Sequence, residues 1–336
     1  MREYKGIMVL GEVSEGKLNS VTAELLACAR LLADSLKEKV SCVLFGSRAS
    51  DFSQEVIALG ADRVYLVQNS LLDNYQAETY LYALEQMVSM GLPNILLFGQ
   101  TAMGRDLAPR LAFRLRVGLV TDCLELSIDS AKKNLLMTKP VYGGSARAVF
   151  ASDFFPQMAT VRQKAFSPLP RDEKRTGQVI ECIIIDPAVL QAELKTKVIG
   201  KKIEEYSGVK LEAAKVIVCG GRGIGGPEGF KKLEELARVL KGAVGASRPP
   251  CDQGWMPASL QIGLTGKIVV PDLYIVVGVS GSSQHLAGCS GAKVIVAINS
   301  DPEANIFKEA DFGIVGRWQE VLPAFIEKLK ELTKDA

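Results

Sequence analysis

A chain of 336 residues is long enough for two domains, each with its own core. With 48% hydrophobic and 23% charged residues, a net charge of +2 and no basic run, it reads as a soluble globular protein without a nucleic-acid partner. The opening MREYKGIMVLGEV leads straight into a strand, no apolar run is of membrane-spanning length, and seven dispersed cysteines lack a CxxC. Reduced thiols, no metal site, no membrane span and a cytoplasmic, prokaryotic setting are expected.

Residues 7–13 read as a buried strand. A helix over 20–37 follows, with Val21, Leu25, Leu26, Ala29, Leu32 and Leu36 at helical spacing and Asn19 or Ser20 as its cap. Strands over 40–45, 63–67 and 94–98 alternate with helices ending near 59 and spanning 77–90, the signature of a parallel α/β sheet. Gly104-Arg105-Asp106 then opens a helix carrying Arg110, Arg114 and Arg116. That helix is either an anion contact or a solvated, salt-bridged face. From 127 to 166 the pieces KNLLMTKPVYG, ARAVFAS and PQMATVR alternate with Thr, Val and Tyr, which predicts antiparallel strands added to the sheet. A Pro-rich, charged connector (167–178) leads to one more strand (179–185) and a polar crossover (186–212).

The second half predicts strands over 215–219, 243–246, 273–279, 293–298 and 312–315, helices over 228–240 and 319–332, and hence a small doubly wound domain. The fold class is therefore α/β in two domains, 1–200 and 201–336, each on a mainly parallel sheet flanked by helices. The first of these strands runs into Gly220-Gly221-Arg222-Gly223 and then Gly225-Gly226. Such a turn either brings backbone close to a phosphate or serves packing alone. Arg222 within it suits a diphosphate. The third strand exits into Ser280-Gly281-Ser282-Ser283, followed by the only histidine, His285, and the fourth exits at Asn299. Ligands of open parallel sheets lie at such strand exits. His285 is either a packed ring or, with Arg248, one of two cations beside a redox ring that becomes negative on reduction.

The run SRPPCDQGWMPASLQIGLTGKIVVPDLYIVVGVSGSSQHLAG, with KVIVAINSDPEANIFKEADFGIVG after it, resembles the alpha subunit of electron-transfer flavoproteins. GRDLAPRLAFRL, PVYGG and PQMATVR in the first half carry the same resemblance. It implies a non-covalent FAD held by the second domain and an obligate heterodimer with a beta subunit. It also implies electrons taken from flavoprotein dehydrogenases such as acyl-CoA dehydrogenase. The alternatives are a bifurcating, NADH-oxidising complex or a nucleotide-binding enzyme of another class. By the resemblance Arg222, Ser247 and Arg248 contact FAD, with Arg248 near the isoalloxazine. Ile262, Gly263, Leu264 and Thr265 form the loop beside the ring, Thr265 reaching N5. Ser280, Gly281, Ser282, Ser283, Gln284 and His285 form the next loop, His285 near the C2 carbonyl, and Asn299 lies on the adenosine side. Leu264 replaces a usual Gln, and Arg317 and Trp318 stand where an Asp is usual, so Trp318 is a candidate to stack on adenine.

Overall fold

The structure is a computed structural model describing residues 3–14, 16–144, 146–182, 187–196, 198–200, 210–212 and 214–334. The chain divides into two compact units: Met1–Pro140 with Arg147–Lys201, and Val141–Ala146 with Lys202–Ala336.

The first unit is built on a seven-stranded sheet. Its order is Gln178–Glu181, Arg63–Val67, Val40–Phe45, Ile7–Leu10, Ile95–Gly99, Gln157–Val161, Leu119–Cys123. Every pairing in it is parallel. The central strands are apolar at consecutive positions because both faces are covered. Ile7 and Val9 join a core with Leu25 and Leu32 of the Ser20–Leu36 helix. Met8 and Leu10 join the opposite core, with Leu84 of the Ala77–Gly91 helix and Leu107 of the Ala102–Leu115 helix. Asn19 caps the first helix as expected, its Oδ1 accepting from the Val21 N–H at 3.3 Å. Thr101 caps the third, its Oγ1 accepting from the Gly104 N–H at 3.0 Å. Gly104 is required there, since a Cβ would lie 1.9 Å from the Gly99 carbonyl oxygen.

One expectation is overturned. PQMATVR is not antiparallel: Gln157–Val161 runs parallel in the middle of the main sheet, between Ile95–Gly99 and Leu119–Cys123. All five of its side chains are buried. Its polar start is tolerated because Gln157 is fully paired, accepting from the Leu135 N–H at 2.7 Å and donating to Asn94 Oδ1 at 3.0 Å. The other pieces are not appended to that sheet but form a separate one, in which Leu135–Val141 lies between Glu125–Ile128 and Ala146–Phe150 and runs antiparallel to the former, as expected. The expected strand over 179–185 is an edge strand ending at Glu181, and its last three residues lie outside the described ones. The crossover contains a helix, Pro187–Glu193.

The second unit holds the five expected strands in one parallel sheet. Their order is Ala243–Ala246, Val216–Gly220, Leu273–Val277, Val294–Asn299, Phe312–Val315. The chain thus winds outward in both directions from a point between Val216–Gly220 and Leu273–Val277, the crevice where doubly wound sheets take ligands. Phe230 and Leu233 of the Pro227–Val239 helix and Leu322 and Ile326 of the Trp318–Lys334 helix cover one face. Leu260, Ile262, Cys289 and Ile306 cover the other.

Candidate functional site

The two strands that flank the crevice leave it through glycines that touch. A Cβ on Gly221 would lie 2.1 Å from the Gly278 carbonyl oxygen, and one on Gly223 would lie 2.9 Å from the Gly278 Cα. Gly278 itself turns with φ +64, which ends its strand at Val277 rather than at the expected 279. Gly221 and Gly223 are therefore needed for the crossing of two strand exits. Gly225 (φ +85) and Gly226, by contrast, face open space, and the Pro227–Val239 helix starts directly after them. The two halves of the glycine run do different work: the first sets the crossing and, through Gly223, lines the cavity there, whereas the second leads into the helix.

Three helices begin at this end of the sheet, after Gly226, Ser247 and Ser282, and none of those residues makes a side-chain cap. First-turn N–H groups are left for another acceptor at the Ser283–Cys289 helix, where those of Ser283 and Gln284 make no hydrogen bond among the described residues. The other two starts carry Pro227, Pro249 and Pro250, which have no N–H to offer. The Ser247 side chain is 6% exposed, and its hydroxyl makes no hydrogen bond among the described residues. Arg222 is exposed and has no ion-pair partner among them. Arg248 pairs with Asp252 one turn along, Nε to Oδ2 at 3.1 Å, with both side chains largely in solvent.

The loop after Leu260 is held by backbone contacts. The Ile262 N–H donates to the Ala246 carbonyl at 2.8 Å, and the Leu264 N–H donates to the Gln284 carbonyl at 2.7 Å. Gly263 (φ +149) and Gly288 allow the loop to press on the Ser283–Cys289 helix, because a Cβ on Gly288 would lie 2.4 Å from the Gly263 Cα. Thr265 Oγ1 accepts from Gln261 Nε2 at 3.0 Å. Asn299 ties two exits together: its Nδ2 donates to the Val279 carbonyl at 2.8 Å, and its Oδ1 accepts from the Asp301 N–H at 3.0 Å.

His285 is 4% exposed, with Nδ1 3.1 Å from the Ile262 carbonyl and Nε2 3.0 Å from the Tyr274 hydroxyl. A carbonyl can only accept, so Nδ1 carries the hydrogen and Nε2 accepts from Tyr274. Burial pushes the imidazole pKa down to about 4. The expectation of a cation at this position is therefore corrected: desolvation favours the neutral His285 and outweighs the Ile262 carbonyl, which pulls the other way. Arg248, paired with Asp252, remains as a permanently charged group at that end.

These residues surround a cavity of about 780 Å³. Of the expected site residues, Arg222, Ser247, Arg248, Ile262, Gly263, Leu264, Thr265, Ser280, Ser282, Gln284, His285 and Asn299 line it. Gly281 and Ser283 lie outside its lining; Gly281 instead lets the exit pass Ile306, whose N would be 2.3 Å from a Cβ. Arg317 and Trp318 line a second cavity of about 260 Å³, which shares Gly223, Gly278 and Asn299 with the first. Trp318 packs on the Gly229 side of its neighbouring helix, with Nε1 buried and unpartnered. Asp252, Gln261 and Asp301 also line the large cavity and had not been singled out. The spacing of Asp252 four residues after Arg248 is a signal, and so is the place of Asp301 in the polar strand ending Asn299-Ser300-Asp301; Gln261 offers none.

Residues 7–186 match the electron transfer flavoprotein domain, and residues 210–290 match the electron transfer flavoprotein FAD-binding domain. The chain belongs to the electron transfer flavoprotein family. It is 46% identical to the electron transfer flavoprotein subunit alpha of Thermoanaerobacterium thermosaccharolyticum, over 99% of this chain and 100% of that one. It is 43% identical to the subunit alpha of Megasphaera elsdenii, over 98% of each chain. It is also 40% identical to Protein FixB of Azotobacter vinelandii, over 98% of this chain and 92% of that one. The matched FAD-binding domain contains the glycine exits, the Ile262–Thr265 loop and the His285 helix, so the family's flavin domain and the cavity coincide in this chain.

The arginine-rich helix of the first flavoprotein domain resolves towards ion pairs. Arg110 pairs with Asp106 at 2.9 Å and Arg114 with Glu85 at 3.3 Å. All seven cysteines are free thiols, six of them buried. No helix among the described residues is long and apolar enough to cross a membrane.

Proposed function

We propose that this chain is the FAD-carrying alpha subunit of a two-subunit electron carrier. It would work in the cytoplasm with a beta subunit and draw electrons from flavoprotein dehydrogenases of the acyl-CoA dehydrogenase type. The observation that carries the reading is the cavity of about 780 Å³ at the switch point of the second sheet, within the 300–1,000 Å³ range of cofactor pockets. Its donor set suits a dinucleotide: an arginine without a counterion among the described residues, a serine hydroxyl that makes no hydrogen bond among them and lines the cavity, and the uncapped start of the Ser283–Cys289 helix.

Arg222 and the uncapped first turn of the Ser283–Cys289 helix would hold the diphosphate, since both offer positive potential to an anion. Thr265 and Arg248 would face the ring, and Asn299 would hold the adenosine side through the loop that it ties. The bound flavin supplies reversible acceptance of electrons. The chain supplies Arg248, a fixed positive charge that favours the more negative form. His285, being neutral, contributes orientation, because its two hydrogen bonds lock the Ile262 carbonyl to the Leu273–Val277 strand.

The test is to co-express the chain with a beta subunit and count flavins per heterodimer, in parent and Arg222→Ala proteins. We expect FAD retained by the parent heterodimer and shed at least tenfold more readily by the variant on dialysis. A stable heterodimer in which this chain holds no flavin, or one indifferent to Arg222, refutes the proposal.

A further inference from the structure

A second cavity in the first unit has chemistry of its own, independent of the flavin reading. It has a volume of about 250 Å³ and opens at the amino ends of the Ile7–Leu10, Val40–Phe45 and Arg63–Val67 strands. This is the end opposite the one where parallel sheets ordinarily bind nucleotides.

The strand registers explain which side chains meet there. Met8 pairs with Ser41, Ser41 with Arg63 and Val43 with Tyr65. Registered partners in a parallel sheet share a face, and so do residues two apart in one strand. Ser41, Arg63 and Tyr65 therefore project to one side. Ser41 is 9% exposed and Tyr65 7%, yet neither hydroxyl makes a hydrogen bond among the described residues. Arg63 is half-buried and has no ion pair among them; its Nε is buried and makes no hydrogen bond among the described residues, while its terminal nitrogens stay accessible. An arginine committed to a sheet position with its charge unmatched is costly unless something answers it.

The surroundings do not supply that answer. Lys37 and Lys39 add positive charge from the turn after the Ser20–Leu36 helix, and Lys5 adds more, in part offset by Glu3 at 2.6 Å. Glu38 is the acid in the lining, and it accepts the Gly6 N–H at 2.6 Å. Two helices end here, at the caps Lys37 and Leu92, and their carbonyls account for some attraction of lysines. They do not account for Arg63, whose Nε reaches none of them.

We propose that this cavity is a binding site for a small oxyanion, a phosphate or carboxylate group, with Arg63 as its anchor. Tyr65 and Ser41 donate neutral hydrogen bonds to it, and Lys37 and Lys39 guard the rim. The occupant is smaller than a dinucleotide, because the space is about a third of the flavin cavity. Guanidinium, hydroxyl and ammonium donors outnumber the one carboxylate, Glu38, which is engaged by the Gly6 N–H, and so favour a ligand rich in acceptors.

The test is calorimetric titration of the flavin-loaded heterodimer with inorganic phosphate, pyrophosphate and citrate, with FAD in excess to keep the flavin cavity filled. We expect saturable one-to-one binding of at least one of them, weakened at least tenfold in Arg63→Gln, with the visible flavin spectrum unchanged. Preference for the phosphates or for citrate assigns the source of the oxyanion. Should Arg63→Gln fail to fold, Tyr65→Phe and Lys39→Gln replace it, each expected to weaken binding several-fold. No saturable binding of any probe, binding abolished by excess FAD, or equal affinity in these variants overturns the site.

Discussion

The carboxyl ends of the two parallel sheets are built on one plan and finished differently. In the first unit the helices that follow the Ile7–Leu10 and Ile95–Gly99 strands are capped by Asn19 and Thr101. Polar side chains there bond to one another. The Thr101 hydroxyl donates to Glu12 at 2.7 Å, the Thr160 hydroxyl donates to Gln100, and Arg162 grips Asp122 with two bonds at 2.9 and 2.6 Å. In the second unit the corresponding helix starts carry no side-chain caps, and a large cavity lies between the exits. A doubly wound sheet therefore offers a site only where its own side chains leave donors unspent. The first unit has spent them at this end.

The comparison breaks most visibly at Arg162. Its side chain is 8% exposed against Asp122, which holds a left-handed φ of +63. Arg162→Ala leaves that carboxylate without its partner and should destabilise the first unit by about 3–5 kcal/mol, measured by urea unfolding. Flavin affinity should be unchanged; a matching loss of flavin would show that the two ends are not independent.

Glu12 sharpens the same contrast through pH. It is 6% exposed, and burial raises its carboxyl to about 7 from an ordinary 4.5, against the lowering effect of its Thr101 bond. Between those values the folded state binds the proton that the unfolded state has released, so this group's contribution to stability falls as pH rises and levels off above about 7. Glu12→Gln keeps an acceptor for Thr101 without the charge. It should exceed the parent by about 2–3 kcal/mol at pH 8, the gap closing near pH 4.5. Parallel stability–pH curves for the two proteins would rule this out.

In the second unit the open end depends on touching glycines. Gly221→Ala places a methyl group 2.1 Å from the Gly278 oxygen and must push the two exits apart. The expected loss of FAD affinity is about 1–3 kcal/mol, the usual range for overpacking, read by flavin fluorescence on dialysis. The same change at Gly225, which meets nothing, should cost affinity only through its positive φ of +85.

The smallest effect is expected at Trp318. Replacing it with Phe keeps a ring for packing or stacking and removes the buried, unpartnered Nε1–H. Stability should rise by no more than about 1 kcal/mol, with FAD retention unchanged. If Trp318 does stack on adenine, Trp318→Ala should weaken FAD binding by about 1–3 kcal/mol.

Most of the fold was legible from periodicity. Strands at Val40–Phe45, Arg63–Val67 and Ala243–Ala246 fall where their apolar runs predict them, because a strand buried on both faces has little choice of composition. Phe312–Val315 also falls where predicted, although it is an exposed edge strand. Gln157–Val161 was misassigned because Gln and Thr imitate the alternation of a half-exposed strand. Only the distant partners of Gln157, Asn94 and the Leu135 N–H, make its central position affordable. At the candidate site the glycines, Ser247, Arg248, Thr265 and His285 stood out as residue types at strand exits.

What the sequence determined by itself is therefore the two α/β units, the place in each strand where a ligand could sit, and the residue types gathered there. It did not determine which end of which sheet stays open. That depends on whether a donor finds an acceptor far along the chain: Thr101 finds Glu12 across 89 residues, and Asp122 is met by Arg162. Nor did it determine the charge of His285. A lone histidine after a strand exit can be a cation in water, but burial of the ring by folding favours the neutral form, and the Tyr274 hydroxyl and Ile262 carbonyl fix its orientation. Local pattern follows from neighbours in sequence, whereas hydrogen-bond satisfaction and desolvation belong to neighbours in space.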